Sequence, residues 1–314
     1  MIDARGDPFV VAMAPYLDPV LDSEGRMVEL ARMAAEESMG AVVSLPGLKQ
    51  VGMIVGLPSP RPGLRSDLSK RIGESLAGEV FDGIRVSGVQ LLPNGNSAGL
   101  MAIGAACREL RAGTAGFLLA GGVDTYIDPD TLEWLDDRER LHIPTNAWGF
   151  LPGEAAGFCL LCSAATAAEH GLAMLGKVAA MATDNEPNRI YTETVCIGEG
   201  LTKVVRRVLG FIPEGRKIDT MLCDQNGEAY RADEFGFTLA RTAEGFVDPS
   251  DFGAPADCWG DVGAASGPLF VVLAAMAAKK GYAKGPRTML WTSSEGGERS
   301  AALFETDAMA LRSR

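Results

Sequence analysis

Only two histidines occur in this chain of 314 residues, His142 and His170. Chemistry that needs two neighbouring imidazoles is hard to build from them. His142 stands in a loop ahead of Gly149, and His170 is read at a helix end on the surface, beside Glu169. Positive charge is also scarce. Lys and Arg number 29 against 41 Asp and Glu, a net charge of −12, which argues against nucleic acid or an anionic membrane as partner. Arg206, Arg207, Arg216 and Lys217 lie close in sequence and are read as solvated surface. Long apolar runs are missing. The longest, 263–278, falls short of the roughly 20 residues a membrane helix needs and is read as a buried helix. Asp3, Arg5, Asp7 and Asp18 interrupt the apolar start, so no secretory leader is expected.

Cysteine is present but not in paired motifs. Cys107, Cys159, Cys162, Cys196, Cys223 and Cys258 mostly lie within apolar runs, as buried free thiols do. Cys159 and Cys162 have half the spacing of a zinc motif. No second pair or nearby histidine completes it, and in a strand the two face opposite sides. No metal and no cofactor are expected, and a reducing cytoplasm suits the thiols.

What the chain does have is a buried-helix signature. Residues 91–126 run from an extended segment through a tight turn (Pro93, Asn94, Gly95, Asn96) into a helix over 97–112, then a strand over 116–126. That helix is small and apolar on every side up to Arg108, and such a helix must be buried on every side. Its N-terminus, with unpaired N–H groups, is a place for a nucleophile or an anion. The residue there is Asn96, an amide with no basic lone pair on its nitrogen. Hydrophobic residues make up 47% of the chain and glycines number 38, which suits a tightly packed α/β protein. Strands are expected at 9–14, 41–44, 53–56, 158–161, 177–183 and 218–223, with a mostly extended stretch at 80–92 and two strands within 287–306. Helices are expected at 26–38, 67–76 (capped by Ser66), 129–140, 164–170, 199–209, 232–241 and 263–279. The alternation predicts two similar halves, approximately 1–156 and 157–314, in one unit without a linker.

Several stretches resemble β-ketoacyl-[acyl-carrier-protein] synthases of the thiolase superfamily. The helix and strand ending in Gly121, Gly122, Val123 and Asp124 resemble the segment after that family's active-site cysteine. Gly149 to Gly157, GFLPGEAAG, resembles its GF-x-x-GE-(G/A)-AG segment. Gly260 to Gly267 is similar to its GH-x-x-GAAG turn, one residue shorter. Asp224 to Glu228, DQNGE, falls where the family has its first catalytic histidine, with Asp233 and Glu234 at its acidic places. SSEGGER, from Ser293, weakly resembles the glycine-rich C-terminal turn. The likeness spans residues 80 to 305 by order and spacing. It implies a thiolase-like αβαβα fold of five layers, with a mixed sheet around a buried helix in each half.

The departures bear on function. Counting back from Ile103 and Gly104, the cysteine position falls on Asn96; the first histidine position reads Asn226 and the second Asp261. A chain without the acyl acceptor and both histidines lacks the covalent and the electrophilic step together. Three functions follow. The first is a synthase-like protein without condensing activity, serving as an acyl-binding or partner subunit in fatty acid or polyketide metabolism. The resemblance implies a homodimer through the 116–126 strand, with an acyl carrier protein, acyl-coenzyme A or a ketosynthase as partner. The second is an acyltransferase or thioester hydrolase of the same fold using Asp261, Glu228 and Ser97. The third is a condensing enzyme with Cys223 or Cys258 as nucleophile. Each residue also has a plainer role. Asn96 suits a turn or helix cap, Ser97 a first helical turn, Asp261 the cap of the second buried helix, and Glu154 a loop hydrogen bond. Trp259 and Cys258 are expected in the core.

Overall fold

A computed structural model describes Gly6 and residues 8–306. The first part of the chain forms α1 (Ser23–Met39), β1 (Gln50–Gly56), α2 (Leu68–Leu76), β2 (Val80–Phe81) and β3 (Ile84–Leu92). A 3₁₀ turn, Gly95–Ser97, leads into α3 (Ala98–Ala112), followed by β4 (Phe117–Thr125), α4 (Pro129–Asp137), β5 (Glu154–Cys162) and α5 (Ala164–Glu169). The second part forms β6 (Lys177–Asn185), α6 (Glu199–Leu209), β7 (Thr220–Cys223), α7 (Ala229–Thr242), β8 (Phe252–Gly253) and α8 (Ala256–Trp259). A second 3₁₀ turn, Gly263–Ala265, opens α9 (Ser266–Lys280), and β9 (Arg287–Ser293) and β10 (Glu298–Glu305) follow.

The strands form two five-stranded sheets, in the orders β2-β3-β1-β4-β5 and β6-β10-β9-β7-β8. β1 runs parallel to both β3 and β4, and β5 returns antiparallel to β4. β9 likewise joins β7 in parallel and β10 antiparallel. The chain passes between the sheets after Cys162, so residue 156 lies inside β5.

Three apolar clusters make five layers. Met27, Ala31 and Ile72 of α1 and α2 pack on the outer face of the first sheet. Leu100, Ile103 and Phe270 of α3 and α9 fill the space between the sheets. Val204, Val205 and Val208 of α6 cover the outer face of the second. The middle layer is thin because α3 is built from small residues. A Cβ on Gly99 would collide with the Ala264 carbonyl and the Pro268 ring, so the two buried helices meet there backbone to backbone.

Several expectations are corrected. Residues 9–14 make a single bridge, Ala12 with Gly153, rather than a strand, and exposed Val10 and Met13 gain nothing from further pairing. Residues 41–44 are turns closing behind α1, with Val42 N–H donating to the Met39 carbonyl. Ser66 does not cap α2; Asp67 holds that place and its carboxylate turns to Arg65 instead. Cys258 is exposed on α8, while Trp259 packs partly against the middle layer. The strand expected at a dimer contact, β4, lies inside the sheet, paired with β1 and β5 and buried along its whole length. A second copy cannot reach it. Cys159 and Cys162 do face opposite sides of β5, one toward each apolar layer.

Candidate functional site

The two sheets bring the ends of three connections together at the N-termini of α3 and α9. The turn after β3 supplies Asn96 and Ser97, the turn after β7 supplies Asp224, Asn226 and Glu228, and the turn before α9 supplies Asp261. All six are buried.

Asp261 is the hub. Its Oδ1 accepts from Asn96 Nδ2 at 3.1 Å and from the Gly263 N–H at 2.8 Å. Its Oδ2 accepts from Asn226 Nδ2 at 2.8 Å. Asn226 Nδ2 also reaches Glu228 Oε2 at 3.0 Å. Asp261 does not cap α9, whose N-cap place is Ala265 without a side-chain bond; its carboxylate instead closes the 3₁₀ turn ahead of that helix and gathers both asparagines. Asn96 does not cap α3. The entry to that helix already has helical dihedrals, and the Asn96 amide points across to Asp261 instead.

Arginines that no local motif singles out complete the cluster. Arg140 grips Glu228 with two bonds, at 2.6 and 2.9 Å, and pairs with Glu295 at 2.7 Å. Arg231 donates to Asp224 at 2.9 Å and to the Ser293 carbonyl at 2.9 Å, with Asp261 4.0 Å away. Arg61, from the PSPRP loop, pairs with Asp124 at 2.6 Å and stacks over Tyr126. Asp124 in turn accepts from the Ala264 N–H at 3.1 Å. A buried carboxylate without a counter-charge is costly, so the acidic residues were themselves a sign that guanidiniums must be near.

The charges are unequal. Three guanidiniums (Arg61, Arg140, Arg231) face four buried carboxylates (Asp124, Asp224, Glu228, Asp261). Burial pushes Asp224 up to about 6, against the pull of Arg231, and raises Asp124 too, against the pull of Arg61. Burial opposes the charge on Arg140, but Glu228 outweighs it and holds the guanidinium charged.

The other candidates are occupied structurally. Ser97 Oγ lies 2.9 Å from both the Thr292 and Glu298 carbonyls, and its N–H donates to Ser294 Oγ at 2.8 Å. The hydroxyl ties α3 to the β9–β10 hairpin. Cys223 lies in the core at the end of β7, where burial raises its thiol far above neutrality. Neither begins as an activated nucleophile. Glu154 accepts from the Ala14 N–H and from Arg26 in a bidentate pair, anchoring the N-terminal loop. His142 and His170 are both exposed, outside this cluster.

The family description "Beta-ketoacyl synthase, N-terminal domain" matches residues 86–167, which carry β3, the Asn96 turn, α3, β4 and β5. No curated protein sequence matches the chain. Solved ketosynthase structures share its fold. One is AntDE:AntF, a type II PKS acyl-carrier protein in complex with its ketosynthase, with a TM-score of 0.73 at 16% identity, covering 95% of this chain and 88% of that one. Another is the ketosynthase from module 6 of the bacillaene synthase of Bacillus subtilis 168, with a TM-score of 0.70 at 15% identity, covering 94% of this chain and 58% of that one. A third is the oxazolomycin ketosynthase domain OzmH KS7 of Streptomyces albus JA3453, with a TM-score of 0.69 at 15% identity, covering 95% of this chain and 61% of that one. The fold is thus the thiolase-like fold of ketosynthases, and the chain spans about three-fifths of the last two. Among the described residues no helix is long and apolar enough to cross a membrane.

Proposed function

We propose that this is a ketosynthase-like protein that does not carry out condensation and serves as an acyl-binding or partner subunit in fatty acid or polyketide metabolism. One observation carries the proposal: Asn96 and Asn226 both donate to Asp261. An amide at the start of α3 offers no acyl acceptor, and the Asp261 carboxylate has both oxygens engaged by fixed donors from Asn96, Asn226 and Gly263. The thioester-cleaving alternative needs Ser97 as a nucleophile, and its hydroxyl is committed to two backbone carbonyls. The chain works as one unit, in the cytoplasm, and as a homodimer. With β4 enclosed, the contact between copies uses another surface. An acyl carrier protein is the favoured partner, since a similar ketosynthase is found in complex with one; acyl-coenzyme A and a catalytic ketosynthase are the others.

The test is turnover. With acyl and malonyl thioesters on both coenzyme A and a carrier protein, carbon dioxide release and thioester loss are expected to match a protein-free control. Thioester loss above that control, without a new carbon–carbon bond, would favour an acyltransferase or hydrolase instead.

A further inference from the structure

A second polar cluster lies where the end of β6, the approach to α6 and the middle of α7 meet. Glu186 follows β6, Cys196 precedes α6 and Glu234 lies in α7. One oxygen of each glutamate and the Cys196 sulfur lie within 4.8 Å of one another, and all three residues are buried. None of the three bonds to Asn96, Asn226 or Asp261.

Glu186 is the exception among the buried carboxylates. Asp124, Glu154, Asp224, Glu228, Glu234 and Asp261 each lie within 4.0 Å of an arginine nitrogen. Glu186, 0% exposed, has no such partner among the described residues. Its Oε2 accepts the Gly200 N–H at 2.7 Å and its Oε1 the Asn188 N–H at 3.4 Å. Those donors are neutral dipoles and bring no counter-charge. A carboxylate taken wholly out of water is paired, discharged by a proton or bound to a metal. A proton would discharge Glu186 alone and gives no account of a thiol and a second carboxylate converging on it. Glu234 receives Arg299 Nε at 2.6 Å and the Cys196 thiol at 3.7 Å, both on Oε1, and neither uses Oε2.

The charges suit a divalent ion. Two carboxylates and a thiolate carry three negative charges against the one positive charge of Arg299, and a divalent cation brings that sum to zero. A thiolate selects zinc and similar ions over magnesium and calcium, and three protein ligands leave a further position for water. The ligands also close a loop. Glu186 and Cys196 stand at the two ends of 187–195, which reaches the candidate site: Arg140 donates to the Tyr191 hydroxyl at 3.1 Å, and Arg189 donates to the Gly296 carbonyl at 2.9 Å. An ion across those ends lowers the entropy that the loop can gain by opening.

We propose that Glu186, Cys196 and Glu234 bind a thiophilic divalent cation such as zinc, with the Cys196 proton released to solvent and the ion clasping the loop 187–195. The proposal is independent of the substituted centre and stands whether or not that centre is active.

Titration of the chelator-treated full chain with cobalt(II) and with zinc(II) tests it. Cobalt is expected to bind one per chain with a thiolate-to-cobalt charge-transfer band, and zinc to displace it. Either ion is expected to raise the thermal midpoint and slow proteolysis within 187–195. Cys196→Ser is expected to abolish the band, and Glu186→Gln, which keeps an acceptor for the Gly200 N–H, to weaken cobalt at least tenfold. Cys258→Ser, at the exposed thiol, is expected to change neither. Cooperative thermal unfolding checks each variant, and if one fails to fold the other decides by the same readout. Absence of a stoichiometric band, a band that survives Cys196→Ser, or affinity indifferent to Glu186→Gln overturns the assignment. Magnesium binding as tightly as zinc would overturn it as well.

Discussion

The two buried helices are close copies with different entrances. α3 and α9 are each 15 residues long, and each ends at a glycine in the left-handed region, Gly113 and Gly281. Each is entered through a 3₁₀ turn that begins at a glycine of positive φ, +66° at Gly95 and +51° at Gly263. Ahead of α9 stands a carboxylate, Asp261, which accepts the Gly263 N–H in keeping with the positive end of the helix. Within the turn into α3 stands an amide, Asn96, which donates across the gap. One acceptor and one donor lock the entrances together. The lesson is that a repeated architecture fixes where two turns meet, and the residues at the meeting point decide whether they react or merely bond.

The comparison breaks most severely at the carboxylate. Asp261→Ala leaves the Asn96 amide and the Gly263 N–H without their acceptor, takes from Asn226 one of its two acceptors, and removes a neighbour of Arg231. It is expected to lower stability by about 3–5 kcal/mol, read as the urea midpoint. A loss near zero would mean that Asp261 is not the hub.

Asp224 gives a pH signature in the same cluster. Its folded value of about 6 lies above the ordinary value of 3.8, so the fold binds its proton more tightly than the unfolded chain does. The stabilisation this supplies is fully present below about pH 4 and is lost as pH rises through about 6, roughly 3 kcal/mol over the window. Asp224→Asn is expected to flatten that part of the stability profile. Parallel profiles for the two proteins would show that Asp224 titrates normally.

The α3 entrance should yield less. Asn96→Ala removes one hydrogen bond to a carboxylate that keeps its bonds from Asn226 and Gly263, so about 1.5–3 kcal/mol is expected. Ser97→Ala unties α3 from the β9–β10 hairpin and should lose about 1 kcal/mol by the same measurement. If either exceeded the loss for Asp261→Ala, the asymmetry between the two entrances would be reversed.

Much of this fold was legible in the sequence because its buried helices have no polar face. The all-apolar periods of α3 and α9 marked two helices as buried, and the resemblance to β-ketoacyl synthases placed them between the sheets. The amphipathic α6 was also placed to the residue. Short pairing was not legible: 9–14 looks like a strand by composition, yet only Ala12 finds a partner. In the candidate site, Asn96, Asn226, Glu228 and Asp261 were named from sequence and meet in space. Their arginines were not. Arg61, Arg140 and Arg231 come from a proline-rich loop, the end of a polar excursion and the first turn of α7, and nothing local distinguishes them from surface arginines. Only the need of buried carboxylates for counter-charge pointed to such partners. Likewise, the cluster of Glu186, Cys196 and Glu234 joins a strand end, a loop and a helix that no metal-binding spacing links in sequence.

The central claim is that the turn into α3 holds no acyl acceptor, and intact-mass spectrometry after incubation with acyl thioesters tests it most directly. The predicted result is an unmodified chain and unconsumed thioester. A stoichiometric acyl adduct mapped to Ser97, Cys223 or Cys258 would contradict the claim and name the nucleophile.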